Sequence, residues 1–483
     1  MPAPKERTNI KLQAERAVLA AVRLPNSRYD QRDPFGELQA LAEQAGAQAV
    51  GTIEQRLDRV VAGTYMGAGK LKELRALCDE LQATTVIFDH DLSPRQMANI
   101  EEVVERKIID RSELILDIFA GRATTTEAQL QVELAQLEYT FPRLRAMWDH
   151  LERIVGSGGI AGIGTRGPGE QQLEIDRRLA QRRKLALQTR LREIQERKKR
   201  AVAQRNLDHF TVGIVGYTNA GKSTLFNTLT PGGAYADDRV FATLVTRTRD
   251  WNLGGGLRVL LSDTVGFVRD LPHNLIASFK ATLEEATHAN IVLIVLDISD
   301  PAAELHYQTV NETLDDLFEE QRKSEHTRSR AKGIEGDSDW QPPPRVLLLN
   351  KIDRLADNRD LLVWQRKVPG AIPIVASSKG GPGHAGLEAL IRDAATGGLL
   401  DVIATVNLED SRTIDTLEKR GEVLDRQYDS TTVTLRVRIG KRQLDQLRSL
   451  GAKMTIAPVP PLKPARKSAR KPAQRSTKAK SRK

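Results

Sequence analysis

Residues 216–224 read GYTNAGKST, a G-x-x-x-x-G-K-[ST] pattern that runs from Gly216 through Gly221, Lys222 and Ser223. The apolar run TVGIVG precedes it and STLFNTL follows it, the strand-then-helix context in which such a loop wraps phosphates with backbone N–H groups. Tyr217, Thr218, Asn219, Ala220 and Thr224 fill out the cradle. Lys222 is expected to reach the β- and γ-phosphates and Ser223 to ligate Mg2+. A second element, Asp263-Thr264-Val265-Gly266, ends the apolar run LRVLLSD. A carboxylate there can hold a magnesium-bound water, and a glycine N–H can sense the γ-phosphate. Asn350-Lys351-Ile352-Asp353 closes the run RVLLLN. Asp353 would accept from guanine N1–H and the exocyclic amine, donors that adenine does not present. Ser377-Ser378-Lys379 follows AIPIVA, where GTPases set Ser-Ala-Lys against guanine O6. A lone N-K-x-D says little, but four elements in order on successive strand ends select GTP as substrate, with Mg2+ as cofactor.

The position after Gly266 bears on catalysis. Ras-like proteins carry a water-positioning glutamine there, and this chain has Phe267. A phenyl ring cannot orient water by hydrogen bonding. Hydrolysis is therefore expected to be slow in isolation and to draw on backbone or on a group from a partner.

These elements imply a P-loop GTPase fold, a doubly wound parallel sheet expected over residues 208–400. Within it, residues 319–344 are polar and end in Pro342-Pro343-Pro344, which reads as a mobile insertion. Residues 8–124 alternate short apolar runs with helical patterns, the mark of a small α/β domain. Ser93 is the expected N-cap of a helix that opens on Pro94. Residues 125–207 read as a helical hairpin. Leu130, Leu134, Leu137, Phe141, Leu144, Trp148, Leu151 and Val155 recur at alternating steps of four and three, a heptad seam that Pro142 should kink. A returning helix is expected from Leu173 to about Gln204. Between Arg177 and Arg205 it carries twelve Lys or Arg against Glu193 and Glu196. That imbalance points to nucleic-acid phosphates. Residues 401–459 suggest a small α+β domain, with a helix around 413–424, a strand TTVTLRVRIG and a helix KRQLDQLRSL.

Between the hairpin helices lies GSGGIAGIGTRGPGE, residues 156–170. Its G-x-G-x-x-G, residues 162–167, matches a dinucleotide-binding fingerprint but lacks the preceding strand and the later acidic strand end that such a site needs. Fifteen residues also exceed what a helix–helix turn needs. The stretch is expected to be a probing loop in which glycines let backbone approach RNA and Arg166 meets a phosphate. A second near-miss, GTYMGAGKL at 63–71, has Thr64 at the first glycine position and Leu71 at the Ser/Thr position, and is expected to be an ordinary turn.

The composition fits this reading. Of the net charge of +10, the last 24 residues, 460–483, contribute ten Lys or Arg and no acid, so the rest is close to neutral. That tail is too polar to order itself and is expected to be disordered. A single cysteine, Cys78, excludes a disulfide framework and suits a reducing cytoplasm. The start, MPAPKERTNIK, has no apolar core of a secretory signal, and the apolar run IVLIVL is far too short for a membrane span. A cytoplasmic monomer is expected.

The flanking segments carry a more specific signal. YTNAGKSTLFN, FATL and DTVGFVRDLPH, with FDHDLSPRQMANIE, IDRSELILDIFA, LQVELAQLEY and GTRGPGE…QLEIDRR upstream, resemble the HflX family of translation-factor-related GTPases. The resemblance is close over residues 60–290 and looser beyond. It implies a protein that binds the large ribosomal subunit and its RNA, and that splits stalled or idle ribosomes under stress. The hairpin loop would approach the peptidyl transferase centre, and the ribosome would stimulate GTP hydrolysis. It also assigns Thr243, in FATL, as the switch I threonine that coordinates Mg2+ and the γ-phosphate. Catalysis would then involve Lys222, Thr243 and Gly266, and the metal would sit on Ser223, Thr243 and Asp263. The chain departs from the family where Val245-Thr246 follows Leu244 in place of D-P, where Gln171 stands for a threonine, and where Ser378 replaces alanine. A different reading of the same basic arm and switch is an RNA-binding GTPase that times large-subunit assembly.

Overall fold

The computed structural model describes residues 15–156, 168–231, 247–254, 257–264, 266–269, 286–331, 340–449, 452 and 454–458. They form two units, one ending at Leu390 and the other beginning at Ile391. Thr243, Val265, the hairpin tip including Arg166, and the basic tail lie outside the described residues.

The first unit opens with four strands, β1 (Arg16–Arg23), β2 (Gln48–Arg56), β3 (Thr85–Phe88) and β4 (Lys107–Ile109), in the order β2-β1-β3-β4. All three pairings are parallel. Four helices connect and cover them: α1 (Gly36–Gln44), α2 (Ala68–Glu80), α3 (Pro94–Val104) and α4 (Arg111–Arg122). Strand β1 is buried from Ala17 to Arg23, so its run Ala-Val-Leu-Ala-Ala-Val needs no polar alternation. Ser93 caps α3 in a capping box, its hydroxyl accepting from Gln96 N while the Gln96 side chain accepts from Ser93 N.

Two long helices follow, α5 (Thr126–Gly156) and α6 (Pro168–Asp208). Leu130 and Leu134 meet Leu187 and Leu191, all buried, with Ile194 alongside. The ion pairs Glu127–Lys198, Glu133–Arg183 and Glu138–Lys184 run in opposite directions along the two helices, which are therefore antiparallel. Helix α5 runs continuously from Thr126 to Gly156 through Pro142. One expectation changes here. Helix α6 starts at Pro168 and not at Leu173, because proline is at home in a first helical turn where no N–H bond is required. Arg183, Lys184 and Lys198 are also partly neutralised by α5, so the basic excess of α6 is smaller than its own sequence suggests.

The second sheet has six strands in the order β10-β9-β8-β5-β7-β6. They are β5 (Thr211–Gly216), β6 (Arg247–Gly254), β7 (Leu257–Asp263), β8 (Ile291–Asp297), β9 (Arg345–Asn350) and β10 (Ile372–Pro373). The register is parallel from β10 through β7. Helices α7 (Lys222–Leu229), α8 (Ala303–Ala331), α9 (Arg359–Lys367) and α10 (His384–Thr396) follow β5, β8, β9 and β10. The expected mobile insertion at 319–344 needs correction: α8 carries on to Ala331. Leu314, Leu317, Phe318 and Gln321 are buried and anchor this helix, which then runs out into polar sequence.

The second unit has β11 (Leu399–Asn407), α11 (Ser411–Arg420), β12 (Glu422–Tyr428), β13 (Thr432–Gly440), α12 (Lys441–Ser449) and β14 (Met454–Pro458). Its antiparallel sheet, ordered β12-β13-β11-β14, gives a split β-α-β topology of ferredoxin type. The helix expected over 413–424 stops at Arg420, where Gly421 and an edge strand take over. Among the described residues, no helix is long and apolar enough to cross a membrane.

Candidate guanine-nucleotide site

Three strand ends of the six-stranded sheet converge on the loop after β5. Gly216 leaves the strand at φ 153°, and a Cβ there would come 2.3 Å from the Val295 carbonyl oxygen. Gly221, at φ 97°, starts α7, and a Cβ there would come 2.3 Å from Asn350 Nδ2. Both glycines are therefore required by conformation and by close approach.

Asn350 ties the site together. Its Nδ2 donates to Ala220 O at 2.7 Å and its Oδ1 accepts from Ala376 N at 2.9 Å. The residue is buried, so one side chain joins the phosphate loop to the segment that carries Ser377, Ser378 and Lys379, all three exposed. Lys351 Nζ donates to Asn219 O at 2.9 Å and pairs with Asp297 at 2.6 Å. Asp353 is exposed on a short 3-10 turn. The residues expected to recognise base and phosphate thus share one rim of the sheet.

Lys222 is buried and donates to Tyr217 O at 2.6 Å. Burial lowers its pKa to about 8, an effect that Asp263 opposes and Lys351 reinforces. Ser223 Oγ donates to Asp263 Oδ2 at 2.8 Å. A hydroxyl and a carboxylate brought together are hard oxygen ligands of the kind Mg2+ takes, so the residues present fit that ion. Among the described residues no cluster of three or more His, Cys, Asp or Glu could hold a metal.

Gly266 and Phe267 lie against the loop from the other side. Phe267 N donates to Gly216 O at 3.0 Å, and Thr218 N donates to Phe267 O at 2.8 Å. The Phe267 ring is buried in the apolar cluster of the sheet with Val215, Val292 and Ile294. Thr264 Oγ1 donates to Ile214 O, fixing the strand end. The structure brings every described residue of the sequence-predicted set to this rim.

Sequence reasoning missed a neighbouring group of charges. Tyr217 OH donates to Glu37 Oε1 of α1 at 2.5 Å and accepts from Arg269 N at 2.9 Å. Asp89, just past β3, meets Arg23, Arg111 and Arg269 at 2.8, 2.7 and 3.0 Å. Arg111 also reaches Glu37 at 2.8 Å. Burial alone would raise the carboxyl pKa values of Glu37 and Asp89, but Arg111 and then Arg269 outweigh it and hold both below their ordinary range. The Tyr217 hydroxyl is pushed well up by burial and by Glu37. With Glu54 near Arg23, three guanidiniums face three carboxylates. The available signal was a carboxylate at the C-terminal end of a buried strand, VIFD.

Comparison with known proteins agrees with this geometry. Residues 32–120 match the model described as GTP-binding GTPase N-terminal, and 122–205 match the GTP-binding GTPase middle region. Residues 211–328 match the 50S ribosome-binding GTPase model. A GTPase HflX of Caldanaerobacter subterraneus subsp. tengcongensis is 36% identical over 445 residues, covering 90% of this chain and 93% of that protein. The chain is an HflX-family GTPase. The HflX of Lacrimispora saccharolytica is 46% identical over 307 residues, 63% of this chain and 70% of the relative. That of Escherichia coli K12 is 40% identical over 344 residues, 71% and 74%. As an HflX GTPase the protein binds guanine nucleotide and hydrolyses GTP.

Proposed function

We propose that this GTPase binds the large ribosomal subunit and dissociates stalled or idle ribosomes under stress, with hydrolysis accelerated on the ribosome. The observation that carries this reading is the match of residues 211–328 to the 50S ribosome-binding GTPase model, in a chain that spans nearly the whole of an HflX relative. The helical hairpin supplies a basic arm, and the basic excess of α6 would contact ribosomal RNA phosphates.

At the nucleotide, Asp353 would accept from guanine, and Ser377, Ser378 and Lys379 would border the base. Backbone N–H groups from Tyr217 to Thr224 would line the phosphates, with Lys222 on the β- and γ-oxygens. Ser223, Asp263 and Thr243 would hold Mg2+, which when bound neutralises charge developing on the phosphates. Gly266 N–H would face the γ-phosphate. The Phe267 ring is buried and offers no hydrogen bond to water, so the attacking water must be held by backbone or by the ribosome. Slow turnover in isolation follows.

A sucrose-gradient profile of ribosomes incubated with the protein tests this reading. Free subunits should appear with GTP or a non-hydrolysable analogue and not with GDP. Intact ribosomes under all three conditions would sink the splitting role. Copurification with immature large particles would favour a timer of subunit assembly. Replacing the hairpin tip by a short turn should abolish splitting and leave GTP binding intact. Removing residues 460–483 should flatten the salt dependence of ribosome binding if the tail meets phosphates.

A further inference from the structure

In an open parallel α/β sheet, ligands settle outside the C-terminal strand ends where neighbouring strands depart in opposite directions. The four-stranded sheet has such a point at β1, with β2 on one side and β3 on the other. Arg23 ends β1 and Asp89 follows β3 at this crevice. It is filled by Arg269, only three residues beyond Gly266. Arg269 Nη2 lies 3.0 Å from each Asp89 oxygen, and Nη1 donates to Arg28 O at 2.6 Å. Its carbonyl accepts from Arg111 Nε and Nη2 at 3.3 and 3.2 Å, and its N–H donates to Tyr217 OH. Side chain and backbone are both recognised, as a bound ligand would be.

The residues between are anchored at both ends. Phe267 is buried in the nucleotide-domain cluster and joined to the phosphate loop by two backbone hydrogen bonds. Val268 is buried in the other cluster, with Leu19, Ile87, Ile115 and Phe119. A Cβ on Gly266 would meet Lys222 Nζ and Thr218 Cγ2 at 2.9 Å. Gly266 therefore abuts the lysine expected to take the γ-phosphate, so seating an oxygen between Lys222 and the Gly266 N–H requires Gly266 to shift. Each residue spans at most about 3.6 Å, so two intervening residues leave little slack before Arg269 is pulled.

We propose that Arg269 is the resident ligand of the N-terminal crevice, and that its seat is a latch biasing the nucleotide site toward GDP over GTP. The γ-phosphate and the Arg269 seat compete for one segment, Gly266–Arg269, so each weakens the other by the same factor. Glu37 and Tyr217 reinforce the latch by holding the Arg269 amide over the phosphate loop.

The test measures the Kd of GDP and of a non-hydrolysable GTP analogue for the full-length protein and for Arg269→Ala. Loss of the arginine still leaves Asp89 between Arg23 and Arg111, so the crevice stays charged and paired. The expected result is analogue affinity raised about tenfold with GDP affinity unchanged. Arg269→Lys, which keeps the charge but loses the two-pronged contact, should fall between. A folded Arg269→Ala whose GDP-to-analogue ratio stays within about twofold of wild type overturns the proposal. If that variant does not fold, amide hydrogen exchange on the unaltered protein decides. The analogue should speed exchange at Phe267–Arg269 relative to GDP, and equal protection overturns the latch.

Discussion

In the four-stranded sheet, Asp89 follows a buried strand and meets three guanidiniums; in the six-stranded sheet, Asp263 ends a buried strand and meets a serine hydroxyl. The turns diverge in the same way. GYTNAGKST opens its helix on Gly221 at φ 97°, with Lys222 turned inward. In GTYMGAGKL the helix N-terminus is sealed, because Gly67 N donates to Gln55 Oε1 at 2.9 Å. Lys70, where a phosphate-binding lysine would stand, pairs with Glu73. Met66 fills the core beneath it. The same strand-then-helix arrangement is thus closed by its own side chains in one sheet and carries the proposed nucleotide rim in the other.

The contrast can be broken or sharpened by substitution. The largest effect is expected from Asp353→Asn, which would weaken the two charge-assisted hydrogen bonds proposed to guanine. At about 1.5 kcal/mol each, the loss is roughly a hundredfold in GTP affinity, read by fluorescence titration. Unaltered GTP affinity would remove Asp353 from the base site. Asn350→Ala strands buried Ala220 O and Ala376 N, which should cost about 1–3 kcal/mol in denaturant unfolding and loosen GTP by roughly tenfold. A loss of stability with no change in affinity would make Asn350 purely architectural.

The third effect is one of pH. With the Lys222 pKa at about 8, the free protein loses the ammonium as pH rises past that value. Phosphate favours the charged form, so binding takes up a proton. Affinity should hold below pH 8 and fall above it, by up to about tenfold per unit. A flat profile between pH 7 and 9.5 would contradict the burial of this lysine. The smallest effect is expected from Gln55→Ala, about 1 kcal/mol of stability with GTP binding unchanged. Saturable ATP binding that disappears on Lys70→Ala would show the N-terminal turn to be a phosphate site after all.

Local patterns made the nucleotide domain legible. Each element of its site combines an apolar run with a short motif at the strand end, and both are contiguous in sequence. The edge strand Glu422–Tyr428 was missed because it is exposed almost throughout and shows no alternation. Helix α8 outlasts its apolar stripe, so its last turns resemble a loop in composition. The Asp89–Arg269 contact joins residues 180 positions apart, and no periodicity marks such a pair. Only the shared strand-end location of Asp89 hinted at use.

Val268 shares its apolar cluster with Ala128, Val132 and Ala135 from the first turns of α5. That helix has 31 residues and is about 46 Å long. A lever of that length magnifies small rotations at its root: a tilt of about 5° carries the far end roughly 4 Å. Any rotation passed to α5 through Val268 would be enlarged in this way at the far end of the helix.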